Sequence, residues 1–200
     1  MKIAEFSYKN AFYSLLMFIH FAQSASYYLQ NPNSCYNIII ISCGLSHPQK
    51  HRVGVIMKTV GIIAEYNPFH NGHAYLIAEA KRITGADYAV VVMSGDFVQR
   101  GTPAIWDKYT RTRAALLGGT DLVFELPVIY ATASAEYFAE GGVALLTALG
   151  VDAICFGSEC GDIDALMEIA RLFTNESPEF KTTLAQSLRE GKSYPIAREE

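Results

Sequence analysis

Two histidines flank an asparagine–glycine pair where a short apolar run gives way to helical spacing. His70 and His73 stand three positions apart, so the first turn of a helix would place both imidazoles on one face. A helix start offers unpaired N–H groups and partial positive charge, which together favour phosphate. Gly72 would let a nucleotide approach the backbone, and Pro68 fixes the chain direction before the helix. The segment predicts a phosphate-binding turn, although either histidine alone would be read as an ordinary polar residue at a helix start.

The elements that position this turn follow from the alternation of apolar runs with helical spacing after Met57. Strands are predicted at residues 60–64, 88–93, 121–126 and 151–156, and helices at 71–84, 106–117, 134–149, 162–173 and 180–190. Strands that are apolar on both faces and alternate with helices predict a doubly wound parallel α/β sheet. Ligands of such sheets bind at the carboxyl ends of the strands. The turn that carries the two histidines, residues 65–73, lies at such an end and is called the histidine turn. Gly141 and Gly142 are expected to weaken the middle of the third helix.

Composition excludes several classes of protein. The 200 residues are 50% hydrophobic and carry a net charge of −4, which argues against general disorder and against bulk electrostatic binding of nucleic acid. The four cysteines are Cys35, Cys43, Cys155 and Cys160. Because no two of them form a CxxC pair, neither a disulfide scaffold nor a zinc finger is indicated, and Cys155 in its apolar strand is expected to be an inert buried thiol. The spacing of His, Cys, Asp and Glu predicts no dedicated metal site.

Residues 1–56 differ from the rest of the chain in the distribution of charged and apolar residues. No charged side chain lies between Lys9 and Lys50, and this gap contains an apolar run at 11–22 and a second one at Ile38–Ile41. The first run could be a secretory signal, or a membrane anchor, although it falls short of the ~20 residues that span a bilayer. The segment could also be upstream sequence read in frame before a true start at Met57. We expect residues 1–56 to be a non-core or poorly ordered extension outside the sheet, and a chain starting at Met57 to be at least as stable.

Five segments after Met57 resemble one family in sequence and in order. They are VGIIAEYNPFHNGHAYL (60–76), VMSGDFVQRGTPA (92–104), DLVFELP (121–127), FGSECGDI (156–163) and KSYPIA (192–197). Together they resemble the bacterial tRNA(Met) cytidine acetate ligase family, within the HxGH nucleotidylyltransferase superfamily. The resemblance implies a Rossmann-like ATP-binding domain at 57–200, with the C-terminal part of the family missing.

The resemblance also implies an activity and a set of site residues. Acetate would attack the α-phosphate of ATP, and the acetyl group would then pass to N4 of the wobble cytidine of elongator tRNA(Met). His70 and His73 would be the catalytic residues, stabilising charge on the departing pyrophosphate. The implied ATP-binding residues are Ile63, Ala64, Glu65, Tyr66, Asn67, Pro68, Phe69, His70, Asn71, Gly72, His73, Ala74, Tyr75, Leu76 and Gly157. Mg²⁺ is expected with ATP, and the implied setting is the cytoplasm, with no membrane and no protein partner.

Weaker candidates and competing functions stay open. Residues after the second predicted strand could contact substrate or tRNA; these are Ser94, Gln99 and Arg100. A basic patch on the second helix could be a solvated face or an RNA contact; it consists of Lys108, Arg111 and Arg113. The main alternative function is transfer of AMP or CMP to a small phosphorylated metabolite. A third is a truncated remnant that binds nucleotide weakly without catalysis.

Overall fold

A single sheet with helices on both faces organises the described part of the chain. The computed structural model describes residues 27–30, 37–42, 57–158, 163–174, 177–192 and 196–197. The strands are β1 (Tyr27–Gln30), β2 (Asn37–Ser42), β3 (Thr59–Ala64), β4 (Tyr88–Ser94), β5 (Leu122–Leu126) and β6 (Ala153–Ser158). The helices are α1 (Asn71–Thr84), α2 (Lys108–Leu117), α3 (Val128–Ala131), α4 (Ala135–Ala148), α5 (Ile163–Thr174) and α6 (Pro178–Arg189), with a 3-10 turn at Gln99–Gly101.

The strand order is β1-β2-β6-β3-β4-β5. β6, β3, β4 and β5 run parallel to one another, whereas β2 pairs antiparallel with β6, and β1 antiparallel with β2. From β3 the chain winds outward through β4 to β5, and it then returns to the other side of β3 as β6. This arrangement confirms the doubly wound parallel α/β fold, and it places the topological switch point between β3 and β6.

The middle of the sheet is buried on both faces, as its apolar strands predict, whereas the edge strand β5 is largely exposed or half-buried. α1 and α2 cover one face, where Ile77 and Ala115 join the core cluster that contains Val60 and Ile62. α4 and α5 cover the other face, where Leu146 and Met167 join a second cluster. Packing on both faces fixes the positions of the strand ends, and therefore the positions of the turns that follow the strands.

Local sequence sets the ends of the two helices nearest the histidine turn. α1 has the predicted bounds, and Gly85 closes it in the left-handed conformation (φ 63°) with its N–H donating to the Lys81 carbonyl. α2 begins at Lys108, two residues later than predicted. The Asp107 carboxylate accepts from the backbone N–H groups of Tyr109 and Thr110, each at 2.9 Å, and so caps this helix.

The prediction that residues 1–56 stay outside the sheet is wrong for two segments, β1 and β2. β2 pairs with the whole of β6, from Asn37 opposite Ser158 to Ser42 opposite Ala153. Ile38–Ile41 are each at most 4% exposed, and alternate side chains enter the two core clusters. The lack of charged residues in this part of the sequence was misleading, because a strand that is buried on both faces also lacks charged side chains. A chain starting at Met57 would lose this edge strand, and is therefore expected to be less stable, not equally stable. The division into an extension at 1–56 and an ATP-binding domain at 57–200 stays a prediction.

Two further predictions are corrected or completed by the packing. Gly141 and Gly142 do not interrupt α4, because their missing side chains make room for neighbours. A Cβ at Gly141 would lie 2.3 Å from the Tyr130 ring, and one at Gly142 would lie 2.7 Å from Ile63. Cys155 is buried as predicted, and burial raises the pKa of its thiol to about 12; Cys35, Cys43 and Cys160 lie outside the described residues. In the described part of the chain, none of the helices is both long and apolar enough to cross a membrane.

Candidate functional site

Pairing between β3 and β6 stops before the carboxyl ends of the two strands, and the gap left there is the candidate crevice. Within the described residues these two strands pair at Val60–Ala153 and Gly61–Ile154, and the pairing goes no further. β6 nevertheless continues to Ser158 along β2. The carboxyl halves of β3 and β6 therefore part at the switch point, which is where doubly wound sheets bind ligands. The histidine turn leaves β3 at this place.

The two histidines cap the start of α1 reciprocally. His70 is the N-cap residue, and its Nδ1 accepts from the Gly72 N–H at 3.1 Å. The Nδ1 of His73 accepts in turn from the His70 N–H at 3.2 Å, and the two rings stack with centroids 3.7 Å apart. Since both Nδ1 atoms accept, a neutral imidazole at either position carries its proton on Nε2. The helix start thus presents two Nε2–H donors, and its first turn contains no acidic side chain.

Aromatic packing holds this turn against the sheet. Tyr66 is 2% exposed and adopts the left-handed conformation (φ 49°), which is uncommon for a residue with a side chain. Its ring lies 4.9 Å from that of Phe69 and 4.8 Å from that of His73, measured between centroids. Phe69 packs over Gly118 at the end of α2, where a Cβ would lie 2.3 Å from the phenyl ring. The packing restricts the His73 ring before any ligand arrives.

Burial keeps His73 neutral. Loss of solvation, and secondarily the nearby His70, lower the pKa of His73 to about 4. At neutral pH the ring is therefore an uncharged hydrogen-bond donor. Gly72 contributes to the same geometry, because a Cβ there would lie 3.0 Å from the His70 ring and would press on the cap.

Hydrogen bonds tie the turn to the segment that follows β4. The Asn67 side chain accepts from the Ile105 N–H at 2.7 Å, and the Glu65 carboxylate accepts from the Gln99 N–H at 2.8 Å. The guanidinium of Arg111 also bridges the two segments by donating to the carbonyls of Glu65 and Ser94. The carboxyl ends of β3 and β4 are thereby fixed relative to each other.

The predicted ATP-binding residues fall into two groups in the structure. Those from Ile63 to Leu76 run through the end of β3, the turn and the first half of α1, where Tyr75 is exposed. Gly157 lies near the end of β6 with open space where a Cβ would stand. The first group lies at the end of β3 and Gly157 lies near the end of β6, on the two sides of the gap between these strands. The assignment of these residues to a nucleotide stays a prediction.

The weaker candidates for contact with substrate or tRNA lie in different environments. Ser94 ends β4 and is fully buried, and its hydroxyl has no hydrogen-bond partner among the described residues. Gln99 begins the 3-10 turn, and its backbone N–H donates to the Glu65 carboxylate. Arg100 follows Gln99 in the same turn, and its side chain lies outside the described part.

The basic patch predicted on α2 does not exist as a continuous surface. Lys108 is paired with Glu125 at 2.8 Å, Arg111 is fully buried and Arg113 is exposed. Sequence analysis missed the burial of Arg111. A signal was present, because Arg111 lies one turn before Ala115 on the face of α2 that packs on the sheet. Among the described residues, no group of three or more His, Cys, Asp or Glu side chains is arranged to hold a metal ion.

A doubly wound sheet with two histidines at the start of its first crossover helix is the architecture of a nucleotide-binding domain. The chain belongs to the HIGH nucleotidyl transferase family, whose model matches residues 57–200. Its relatives within that class bear out the more specific resemblance. It is 55% identical over 143 residues to the tRNA(Met) cytidine acetate ligase of Caldicellulosiruptor bescii, and 56% identical over 144 residues to that of Acetivibrio thermocellus.

These matches cover 72% of this chain but 36% and 35% of the two relatives. The chain thus spans about a third of the length of the curated relatives it matches. A solved structure agrees with the fold: Thermotoga maritima TmcAL bound with alpha-thio ATP superposes with a TM-score of 0.64 at 45% identity. That superposition covers 71% of this chain and 34% of the Thermotoga chain.

Proposed function

We propose that this chain carries the ATP-binding and acetate-activating part of a tRNA(Met) cytidine acetate ligase. The observation that carries the proposal is the stacked pair His70–His73, which presents two Nε2–H donors at the start of α1, beside the switch point. Support comes from the solved Thermotoga relative, which is bound with alpha-thio ATP. The triphosphate of ATP would lie at this helix start, with the nucleoside toward Gly157.

The chemistry needs no protein nucleophile. A carboxylate oxygen of acetate attacks the α-phosphorus of ATP, the bond to the bridging oxygen breaks, and pyrophosphate leaves, giving acetyl-adenylate. His70 and His73 donate to the phosphate oxygens, where negative charge grows as pyrophosphate departs. A neutral His73 can donate in this way without the solvation cost of a buried cation. The Mg²⁺ that accompanies ATP neutralises phosphate charge.

The acetyl transfer completes the proposed reaction. The N4 amine of the wobble cytidine attacks the acetyl carbonyl of the adenylate, AMP leaves, and the amine proton is lost to solvent. The names of the curated relatives support tRNA(Met) as the acceptor. The parts of these relatives that this chain does not match would share in binding the RNA.

Two cations near β4, Lys108 and Arg111, favour acetate over a phosphorylated metabolite as the partner of ATP. A second phosphate group would need its own cationic cradle. Lys108 is held by Glu125, and Arg111 gives its donors to backbone carbonyls. These two cations are therefore committed, which suits a small substrate with one charge.

The test is acetate-dependent exchange of labelled pyrophosphate into ATP, followed by addition of tRNA(Met) to a full-length protein. We expect exchange with acetate, then AMP and N4-acetylcytidine once tRNA(Met) is present. AMP without acetylated nucleoside would leave activation standing but remove the tRNA step. A dinucleotide product formed with a phosphorylated metabolite such as nicotinamide mononucleotide would overturn the proposal in favour of a nucleotidyl transferase.

A further inference from the structure

Arg111 is a cation in an unusual place. It lies in the first turn of α2 and is 0% exposed, although its helix begins in a loop that faces solvent. Its guanidinium makes no ion pair within the described residues. Nε donates to the Trp106 carbonyl at 2.9 Å, and Nη1 donates to the carbonyls of Glu65 at 2.6 Å and Ser94 at 3.1 Å. Nη2 donates to the Gly95 carbonyl.

The four carbonyls belong to three separate segments. Glu65 directly follows β3, Ser94 ends β4 and Gly95 follows it, and Trp106 precedes α2. Glu65, Gly95 and Trp106 lie outside the strands, so their carbonyls need a donor other than the ladder of the sheet, and Ser94 is the last paired residue of β4. A planar guanidinium with its donors in a fixed fork can satisfy several at once, whereas a lysine ammonium cannot match that geometry.

Burial lowers the pKa of Arg111, and the carboxylates of Asp96, Glu65, Asp107 and Glu125 oppose this effect. The charge is therefore balanced by carbonyl dipoles and by a ring of acidic side chains at longer range. Four of the five N–H donors of Arg111 go to backbone carbonyls, and the complete burial of its guanidinium keeps it away from a phosphate or RNA at the surface. The residue acts on the site through the backbone.

We propose that Arg111 is a positioning residue that clamps the carboxyl ends of β3 and β4 and so sets the height of the histidine turn. This inference rests on the proposed function, because the turn is taken to bind ATP. Glu65 is the first residue of that turn, and Tyr66, whose ring packs on His73, comes next. Movement at the Glu65 carbonyl is therefore passed to the two imidazoles within a few residues.

A purely structural arginine and a positioning arginine make different predictions. Loss of the first lowers the free energy of unfolding but leaves the folded protein able to bind ATP normally. Loss of the second also lowers the affinity of the folded molecules for ATP, because a misplaced hydrogen bond to a charged phosphate can cost about ten-fold to 10²-fold in binding. The two are separated by measuring affinity under conditions where each variant is fully folded.

The experiment compares Arg111→Lys and Arg111→Met with the matched control Arg113→Met, which removes an exposed arginine two positions along the same helix. Calorimetry measures the affinity for α-thio ATP with Mg²⁺ at low temperature, after near-UV circular dichroism has shown each variant to be folded. We expect wild-type affinity for Arg113→Met and a loss of about ten-fold to 10²-fold for Arg111→Met. Arg111→Lys should lie between them, since it keeps the charge but not the fork.

The outcomes separate the two proposals. If the wild-type chain does not bind α-thio ATP, the proposed function fails and takes this inference with it. If the wild type binds and the folded Arg111 variants bind within two-fold of it, the positioning role alone is overturned. If neither variant folds, the residue belongs to folding rather than to the site, and the inference is likewise overturned.

Discussion

The histidine turn and the β1–β2 pair belong to one sheet but depend on contacts of very different range. In the turn, the bonds that cap α1 join His70 to Gly72 and His73, two and three positions away. β2, by contrast, is held by β6, which pairs Asn37 with Ser158 near the other end of the described chain. Local sequence therefore specifies the turn, whereas the place of β2 depends on the finished sheet.

The two regions also carry different consequences. The turn exposes donors to a crevice and places a neutral imidazole against two aromatic rings, at some cost in backbone strain at Tyr66. The β1–β2 pair covers an edge of β6 and buries isoleucines on both faces. Changes in the pair should therefore alter stability alone, and changes in the turn should alter nucleotide chemistry more than stability.

The largest effect is expected from Ile40→Ala in the middle of β2. Ile40 is 1% exposed and lies opposite Cys155 of β6, so its truncation should lower the free energy of unfolding by about 2–5 kcal/mol. Ile129→Ala is the matched control, because Ile129 is 73% exposed and should change stability by less than about 0.5 kcal/mol. Urea unfolding measures both. An Ile40→Ala chain as stable as wild type would remove β2 from the core.

On the other side of the comparison, His73→Ala should slow formation of the adenylate by about 10²–10³-fold. The imidazole is expected to donate to the phosphates as pyrophosphate leaves, and the same ring caps α1 through Nδ1. Acetate-dependent ATP–pyrophosphate exchange in a full-length background measures the loss. His73→Asn separates the two roles, because its side-chain oxygen can still accept from the His70 N–H. Wild-type exchange in the asparagine variant would reduce His73 to a capping residue.

The lowered pKa of His73 predicts a pH dependence of stability. The folded chain holds this pKa near 4, whereas an unfolded chain returns it to 6.5, so protonation favours the unfolded state. The stabilisation is complete above pH 6.5 and is lost as the pH falls towards 4, and solvent screening of this half-buried ring keeps the loss below the full value of the shift. Unfolding of the wild type and of His73→Asn across this range measures it. Parallel pH profiles for the two proteins would contradict the shift.

Features that depend on contacts between residues close in sequence could be predicted, whereas features that depend on contacts between distant residues could not. The bounds of α1 and its closing Gly85 were predictable, because caps are made by side chains a few positions away. The parallel direction of β3, β4, β5 and β6 followed from apolar runs alternating with helices, whereas their order in the sheet was not predicted. The pairing of β2 was missed, since nothing near Ile38–Ile41 specifies an antiparallel partner so far along the chain.

Arg111 shows the same limit inside the site. Arginine is rarely fully buried, so a sequence containing three basic residues on one helix predicts a solvated face. The burial arises because backbone carbonyls after β3 and β4 and before α2 converge on one guanidinium. Such convergence is a property of the assembled sheet, and only the spacing between Arg111 and Ala115 hinted at it.

The smallest expected effect lies where the two regions meet, at Gly157. This glycine faces the crevice at the carboxyl end of β6, and it also pairs with Ile38 of β2. A Cβ added there meets nothing within 4 Å, so the protein itself tolerates Gly157→Ala, and a strand alanine should leave stability unchanged or slightly higher. If ATP approaches this backbone closely, however, the added methyl group must displace it.

Overpacking by one methyl group costs about 1–3 kcal/mol, so Gly157→Ala should weaken binding of α-thio ATP by about ten-fold. Gly157→Val should weaken it further although valine suits a strand better than alanine, so a greater loss of affinity reflects size rather than strand propensity. Calorimetry measures the affinities, and urea unfolding of the same samples serves as the control. A graded loss of affinity at constant stability assigns Gly157 to the nucleotide. Unchanged affinity with altered stability would assign it instead to the β2–β6 edge, and would move the ATP site away from β6.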